Sequence, residues 1–131
     1  LRSVEVSGDV VAAAIDELPL VAVLGAYADG ITIVRDASEL KVKESDRTLS
    51  TTAMIRSLGG GAEATADGFE VLGTGFLDGG TVEAAGDHRI AMAGAVAATA
   101  AQNAVTIIGA SVAGVSWPSF YETLEAVWSS R

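Results

Sequence analysis

A short segment, residues 40–47, gathers charged side chains that could carry out chemistry. It holds both lysines of the chain, Lys41 and Lys43, together with Arg47. With Arg35 just upstream, four of the 8 lysines and arginines of this acidic chain lie in one region. Two acidic residues separate Lys43 from Arg47. Concentrated cations with carboxylates between them are typical of a site that holds an anion and moves a proton.

Two further charged clusters stand where helices are predicted to begin, at residues 16–17 and 87–89. The first reads Asp-Glu and the second Asp-His-Arg, which includes the one histidine of the chain. A helix N-terminus offers unpaired N–H groups and a partial positive charge, so it favours an anion. Both clusters are therefore candidate parts of the same anion site.

Five of these side chains are candidates for anion binding and acid–base chemistry. If the second predicted helix begins at Glu44, Arg47 projects one turn from Lys43 on the same side. Lys43, Arg47 and Arg89 would then converge on a phosphate or a carboxylate, which arginine can grip in a bidentate manner. Glu44 and Asp16 supply two carboxylates, which acid–base chemistry needs at different basicities.

Each candidate also has a purely structural explanation. Asp16 and Asp87 suit helix N-capping, and on residue type alone capping is the more common role. The charges at 41–47 fit a solvated loop with weak ion pairs, and His88 fits packing or capping. By spacing alone, the Lys-x-Lys-Glu-x-Asp-Arg pattern is a weak motif. The glycine-rich loop 73–80 lacks the spacing and the following helix of a phosphate-binding loop.

The composition restricts the classes of function. With 131 residues and a net charge of −9, the chain is one domain or a piece of a larger one, without the basic face that nucleic acid requires. The absence of cysteine and the single histidine argue against a metal site. No run approaches the roughly 20 apolar residues that span a bilayer, and no signal peptide is visible. We expect a cytoplasmic protein that binds neither nucleic acid nor a membrane, and a start at Leu1 suggests a fragment.

The hydrophobic pattern predicts alternating strands and helices, in the order β-α-β-α-β-β-β-α-β-α. Pro19 is tolerated in the first turn of a helix capped by Asp16, and Asp67-Gly68 is a favoured two-residue hairpin turn. The helix after Asp87 is apolar all round, which predicts burial on every face. The predicted strands are 3–7, 31–35, 62–66, 69–72, 81–84 and 105–108, and the predicted helices are 16–28, 44–58, 87–101 and 116–128.

An internal repeat links the two halves of the chain. Residues 16–38 and 87–111 both run from an aspartate through an Ala-rich helix and a short β-branched strand to Ala-Ser. A second helix follows each copy. The sequence therefore predicts two copies of one βαβα(ββ) unit, at residues 1–84 and 85–131, with the hairpin missing from the second.

Two longer motifs resemble the 5-enolpyruvylshikimate-3-phosphate synthase family. They are VKESDR at 42–47 and DHRIAMA at 87–93, in this order and separated by a glycine-closed hairpin. The segments DELP at 16–19 and SWPSF at 116–120 also fit, so the resemblance covers nearly the whole chain. The pair of motifs is specific, because the related transferase that acts on a UDP-sugar shares the fold but usually lacks this pair.

The resemblance implies an α/β fold of the inside-out barrel type. The family has two similar domains, each built from three βαβαββ units around a pseudo-threefold axis. This chain would supply about two units of the C-terminal domain, and the N-terminal domain would be absent. A truncated repeat domain exposes strand edges, so we expect a tendency to self-associate through them.

The resemblance also implies a reaction without metal or cofactor. The family transfers the enolpyruvyl group of phosphoenolpyruvate to the 5-hydroxyl of shikimate 3-phosphate, by addition and then elimination of phosphate, in aromatic amino-acid biosynthesis. By position, Asp16 resembles the general base near the attacking hydroxyl. Glu44 resembles the group that handles the proton at the methylene carbon, and Lys43 the cation between the two substrates.

The remaining positions concern the anionic groups of phosphoenolpyruvate. Arg47 and Arg89 resemble the clamp on its carboxylate, and His88 would lie near its phosphate. In much of the family a lysine precedes the Ser/Thr-aromatic-Pro motif, whereas this chain has Val115 there. The absent N-terminal domain would carry most of the shikimate 3-phosphate site and another arginine, so we expect no turnover by this chain alone.

Two other hypotheses stay open from the sequence. In one, the chain is a split or degenerate half of the same fold that binds anions without catalysis. In the other, it is an unrelated α/β binding module, which requires both long motifs to be accidental.

Overall fold

The computed structural model describes residues 1–130 and contains five helices and six strands within that range. Three short 3₁₀ turns, Ile15–Glu17, Ser38–Val42 and Ala110–Val115, connect them. The strands are β1 (Glu5–Val6), β2 (Gly30–Val34), β3 (Gly61–Thr65), β4 (Gly68–Gly73), β5 (Gly80–Glu83) and β6 (Val105–Ile108). The helices are α1 (Asp9–Ala13), α2 (Leu18–Tyr27), α3 (Arg47–Ser57), α4 (His88–Ala98) and α5 (Phe120–Ser129).

The strands form two sheets that follow the predicted repeat. The first has the order β1-β2-β4-β3, with β1 parallel to β2 and the other neighbours antiparallel. The second has two parallel strands, β5 and β6. Both β1-α2-β2 and β5-α4-β6 therefore join parallel strands through a helix. The predicted strand and helix order is confirmed, apart from the additional short helix α1.

The predicted boundary between the repeat units needs correction. A boundary between residues 84 and 85 assigns β5 to the first unit. In the structure β5 pairs with β6, four residues opposite four, and belongs to the second sheet. The pairing moves the boundary to the connection between β4 and β5.

The core lies between the sheets and the helices α2, α3 and α4. Six of the 11 residues of α4 are buried and the others are half-buried, so the prediction that this helix is buried on every face is confirmed only in part. Close approach depends on glycine, because a Cβ at Gly94 would lie 3.3 Å from Val82. The hydrophobic period of the sequence predicts that Leu24 of α2 and Leu49 of α3 face inward, but the two residues are 50% and 57% exposed, so these predictions are wrong.

Three local predictions also differ from the structure. Helix α3 begins at Arg47 rather than Glu44, because Asp46 is its N-cap and accepts hydrogen bonds from the backbone N–H groups of the first turn. The last helix begins at Phe120 rather than near residue 116. Asp16 does not cap α2, which starts after a 3₁₀ turn without any side-chain cap.

The hairpin between β3 and β4 turns one residue earlier than predicted. Thr65 pairs with Gly68, so the two-residue loop is Ala66-Asp67 rather than Asp67-Gly68. Gly68 is instead the first residue of β4, where any Cβ would collide with the carbonyl oxygen of Val34. Position 68 is therefore a glycine because the neighbouring strand packs closely against it, and not because of the geometry of the turn.

None of the helices formed by residues 1–130 is both long enough and apolar enough to cross a membrane.

Candidate active site

Arg47, the first residue of α3, lies at the centre of the charged cluster. Its side chain is only 1% exposed and makes four hydrogen bonds to three carboxylates. The Nε and one terminal nitrogen grip Asp87 at 2.8 and 3.1 Å, which is a bidentate contact. The other terminal nitrogen donates to Asp16 at 2.9 Å, and Glu44 accepts from the terminal nitrogen that also contacts Asp87. Burial of an arginine is tolerated because nearly all its N–H groups are satisfied.

Asp87 is fully buried and combines a structural with an electrostatic role. It is the N-cap of α4 and accepts from the backbone N–H of Arg89 at 3.0 Å. It also accepts from the hydroxyl of Ser45 at 2.8 Å. Burial alone would raise the pKa of Asp87, but the hydrogen bonds from Arg47 and Ser45 and the charge of Arg47 outweigh it and hold the pKa below its ordinary value. The capping role predicted for Asp87 is confirmed.

Asp16 lies in the 3₁₀ turn before α2 and faces the same cluster. Its side chain is 41% exposed and contacts Arg47 at 2.9 Å and Lys43 at 3.4 Å. Its partial burial raises the pKa of Asp16, but the charge of Lys43 and the hydrogen bonds from Arg47 and Lys43 lower it further than burial raises it. The residue is therefore ionised at neutral pH and accessible from solvent.

Glu44 and His88 form the second accessible part of the cluster. The Nε2 of His88 lies 3.6 Å from Glu44, and its Nδ1 lies 2.7 Å from the hydroxyl of Ser116. Glu44, Asp87 and His88 could geometrically hold a metal ion. Both carboxylate oxygens of Asp87 are already engaged by Arg47, however, so this trio is a poor donor set.

Arg89 lies at the opening of an apolar cavity of about 240 Å³. It is 30% exposed and pairs with Glu17 at 3.1 Å, while its Nε is buried without a hydrogen-bond partner among residues 1–130. Helices α2 and α4 and residues Trp117 and Phe120 supply the apolar wall. A guanidinium with an unsatisfied N–H beside a cavity is suited to binding an anion.

Direct contacts join five of the six predicted site residues, namely Asp16, Lys43, Glu44, Arg47 and His88. The sixth, Arg89, pairs with Glu17 and lines the same cavity as Asp16. Two other cations near the motif lie elsewhere. Lys41 instead donates to the backbone carbonyl of Ala66 at 2.7 Å. Arg35 pairs with Glu5 on the surface. Val115 is 75% exposed and contributes no polar group.

The sequence indicated only one of three supporting residues. Glu17, which contacts Arg89, belongs to the predicted cluster at residues 16–17. Ser45 contacts Asp87 and Ser116 contacts His88, and neither serine stood out by type or spacing. The N-cap signal at Asp87 and the shared Asp-first pattern of the repeats were the only cues to that part of the network.

Comparison with known proteins identifies this arrangement. A family model described as EPSP synthase (3-phosphoshikimate 1-carboxyvinyltransferase) matches residues 2–124. The chain belongs to the EPSP synthase family. Relatives in this family carry the name 3-phosphoshikimate 1-carboxyvinyltransferase, which is a transferase.

EPSP synthase relatives are similar over almost the whole chain. The protein from Geobacter sulfurreducens is 46% identical over 127 residues, which is 97% of this chain and 30% of that protein. A protein from Bacillus cereus is 43% identical over 125 residues, covering 95% of this chain and 29% of that protein. The chain thus spans about 30% of the length of these relatives.

Solved EPSP synthase structures share the fold. One from Acinetobacter baumannii aligns with a TM-score of 0.83 at 31% identity, over 96% of this chain and 30% of that chain. A second structure from the same organism gives a TM-score of 0.80 at 28% identity, with 96% and 29% coverage. The family and the α/β fold class predicted from the sequence are confirmed.

Proposed function

We propose that this chain forms one wall of the active site of an enolpyruvyl transferase. The reaction is transfer of the enolpyruvyl group from phosphoenolpyruvate to the 5-hydroxyl of shikimate 3-phosphate, with release of phosphate. The proposal depends on one observation, which is that side chains from three separate segments converge. Side chains from the 3₁₀ turn before α2, from the start of α3 and from the start of α4 meet in one network around Arg47.

Arg89 is the better anchor for the carboxylate of phosphoenolpyruvate. Its partner Glu17 is 56% exposed, and the buried Nε of Arg89 has no hydrogen-bond partner among residues 1–130. An incoming carboxylate can replace Glu17 and use two parallel N–H groups. Arg47 is less available, because it already contacts three carboxylates and is buried. A substrate carboxylate reaches Arg47 only by displacing Asp16 or Glu44.

That displacement explains how Asp16 becomes a base. In the structure its low pKa makes it a weak base, because Lys43 and Arg47 stabilise its charge. When substrate anions take up those cations, Asp16 loses this stabilisation and its pKa rises. Asp16 then accepts the proton of the attacking hydroxyl as the C–O bond forms at the phosphoenolpyruvate C2 carbon.

Glu44 acts on the methylene carbon of phosphoenolpyruvate. It passes a proton that it carries to this carbon during addition and takes one back as the C–O bond to phosphate breaks. The enol double bond is then restored, and the proton that Asp16 accepted leaves with the phosphate. Lys43 balances negative charge between the two substrates. Positioned charges of this kind stabilise a transition state more effectively than water, because they need not reorganise.

His88 is the residue that we place near the phosphate of phosphoenolpyruvate. The hydroxyl of Ser116 lies 2.7 Å from its Nδ1 and fixes the ring, with Nε2 towards Glu44. Because Val115 offers no charge, Arg89, Lys43 and His88 are the cationic or potentially cationic groups that this wall offers to a phosphate.

The rest of the enzyme supplies the opposite wall. The two proposed proton-transfer residues, Asp16 and Glu44, are 41% and 49% exposed, and the chain spans about 30% of the length of its relatives. We therefore expect no turnover by these 131 residues alone. The partial C-terminal domain, a cytoplasmic location and pairing through strand edges remain predictions. The alternative is a non-catalytic half of the same fold that binds anions only.

The test is phosphate release from phosphoenolpyruvate and shikimate 3-phosphate by a complete enzyme carrying this segment. Arg89→Ala is expected to lower kcat/KM by roughly 100-fold, since it removes a charge-assisted contact to substrate. Arg35→Ala is the matched control, because Arg35 also pairs with one exposed glutamate but lies outside the cluster. Equal activity of the two variants would contradict the assignment, and anion binding without turnover would favour the non-catalytic alternative.

A further inference from the structure

Ser45 connects the start of α3 to the start of α4. Its hydroxyl lies 2.8 Å from Asp87 and 2.8 Å from the hydroxyl of Ser50. An ionised carboxylate only accepts hydrogen bonds, so the single hydroxyl proton of Ser45 goes to Asp87. The single hydroxyl proton of Ser50 can go either to Ser45 or to the backbone carbonyl of Asp46, which lies 3.1 Å away. The contact with Asp87 therefore sets the orientation of Ser45.

Asp87 is held from every side. One carboxylate oxygen accepts from Ser45 and from the Nε of Arg47, at 2.8 Å each. The other accepts from the backbone N–H of Arg89 at 3.0 Å and from a terminal nitrogen of Arg47 at 3.1 Å. With a side chain that is fully buried, Asp87 has no solvent to turn towards. The plane of the Arg47 guanidinium is therefore set by Asp87.

The opposite edge of the same guanidinium faces the reacting groups. One terminal nitrogen of Arg47 donates to Asp16, and the other donates to Glu44 as well as to Asp87. Asp16 and Glu44 are 41% and 49% exposed, so solvent alone would leave both mobile. The planar guanidinium of Arg47, whose orientation Asp87 fixes, therefore holds both carboxylates in defined positions.

We propose that Ser45 and Asp87 are positioning residues for the proposed enolpyruvyl transfer. Ser45 locks Asp87, Asp87 fixes the plane of Arg47, and Arg47 places Asp16 and Glu44, which are the two groups assigned to proton transfer. Neither Ser45 nor Asp87 touches substrate in this scheme. The inference rests on the proposed function for its catalytic meaning, but the relay itself can be measured in the chain alone.

The first measurement is an NMR titration of the side-chain carboxyl of Asp16 in the 131-residue chain. Opposite charges on Lys43 and Arg47 face Asp16, while Glu44 shares Arg47 and Glu17 is its chain neighbour. Ser45→Ala is expected to raise the pKa of Asp16, because a loosened Arg47 stabilises the carboxylate less well. Lys43 still acts on it, so the rise is partial. Ser45→Thr keeps the hydroxyl, so the pH midpoint of the Asp16 titration is expected to be the same as in the unsubstituted chain.

The matched control is Ser57→Ala. Ser57 is the last residue of α3, at the opposite end from Ser45, and its hydroxyl donates to the backbone carbonyl of Met54. Loss of its hydroxyl is expected to leave the Asp16 midpoint unchanged, so a change there would indicate a general effect of removing a serine. If Ser45→Ala does not fold, Ser50→Ala removes the hydroxyl that lies 2.8 Å from Ser45 and 3.1 Å from the backbone carbonyl of Asp46, and it is expected to shift the pKa of Asp16 in the same direction.

The second measurement is steady-state turnover by a complete enzyme carrying this segment. Ser45→Ala is expected to lower kcat roughly tenfold with KM for phosphoenolpyruvate within about twofold, because it misplaces reacting groups without removing a substrate contact. An unchanged Asp16 midpoint in both Ser45→Ala and Ser50→Ala would overturn the relay. An effect on KM alone would overturn the catalytic meaning. Absence of turnover in the unsubstituted enzyme would refute the proposed function instead, leaving the titration to decide on the relay.

Discussion

At the scale of single residues, the ion pair of Arg47 and Asp87 has consequences for stability. Both side chains are buried, at 1% and 0% exposure, and they exchange two hydrogen bonds. Burying two charges costs a large desolvation free energy, and only good geometry and full hydrogen bonding offset it. Removing one partner leaves the other charge buried and uncompensated, so the pair is costly to break even where it adds little net stability.

This pair predicts loss of stability in acid. Burial tends to raise the pKa of Asp87, but its hydrogen bonds and the charge of Arg47 lower it below the ordinary value of 3.8. The stabilisation is therefore fully present above the unfolded pKa and is lost as pH falls through the folded pKa. Asp87→Asn is expected to reduce the free energy of unfolding at pH 7 by about 3 kcal/mol and to weaken its dependence on pH below about 4.

Urea denaturation followed by circular dichroism between about pH 2 and pH 7 measures both effects. Asp9→Asn, at an exposed carboxylate of α1, is the control and is expected to keep the slope of the unsubstituted chain. An Asp87→Asn variant as stable as the unsubstituted chain at neutral pH would show that the pair is not a source of native stability.

Single residues also show what sequence alone can and cannot specify. Lys41 and Lys43 have the same chemistry, two positions apart, yet only Lys43 reaches Asp16. The 3₁₀ turn at Ser38–Val42 and the extended backbone at Lys43 separate them, and neither follows from local propensity. Residue type and position made Asp16, Glu44 and Arg89 candidates, and the family resemblance gave each a role that stays a prediction. Ser45 and Ser116 act through tertiary contacts, which carry no sequence signature.

At the scale of elements, the N-terminus of α3 determines where Arg47 points. Asp46 accepts from the backbone N–H groups of Thr48 and Leu49 and from the hydroxyl of Thr48. Because the cap residue has extended backbone, the helix starts at Arg47 and directs its side chain into the core. The cap thus couples helix formation to the geometry of the charged cluster.

Loss of this cap is expected to destabilise the fold moderately. Asp46→Ala removes the acceptor for the first turn and is expected to cost about 1 kcal/mol, whereas Asp46→Asn retains an acceptor and is expected to cost a few tenths of that. Chemical denaturation of the two variants measures the difference. Equal losses in both variants would mean that the charge of Asp46, and not its capping contact, stabilises the helix.

The order of elements was predictable, while their exact starts and faces were not. Hydrophobic period and turn residues located every major helix and strand. The starts of α3 and α5 shifted because caps and 3₁₀ turns compete with helix propensity at those positions. Helix α2 is apolar throughout, so its sequence has no polar stripe to mark an outer face, and the prediction that Leu24 faces inward is wrong for that reason.

At the scale of the whole molecule, the second repeat is incomplete. In the first sheet β4 pairs with β2 on the side away from β1. The equivalent side of β6 carries no strand among residues 1–130. Two of its residues, Thr106 and Ile108, are exposed, and Ile108 is 51% exposed. The internal repeat made this gap predictable, but only the strand order showed which edge is open.

An open edge with apolar residues predicts self-association of the isolated chain. Unpaired N–H and C=O groups along β6 can pair with the same edge of a second copy, and a lysine on an edge strand opposes such pairing. Thr106→Lys is therefore expected to shift the 131-residue chain towards monomer in sedimentation velocity at concentrations where the unsubstituted chain is dimeric.

Gln102→Lys adds the same charge in the turn before β6 and controls for the change in net charge. If both lysines reduce association equally, general repulsion and not the edge of β6 governs it. If the unsubstituted chain is monomeric at every accessible concentration, the short length of β6 is by itself sufficient protection.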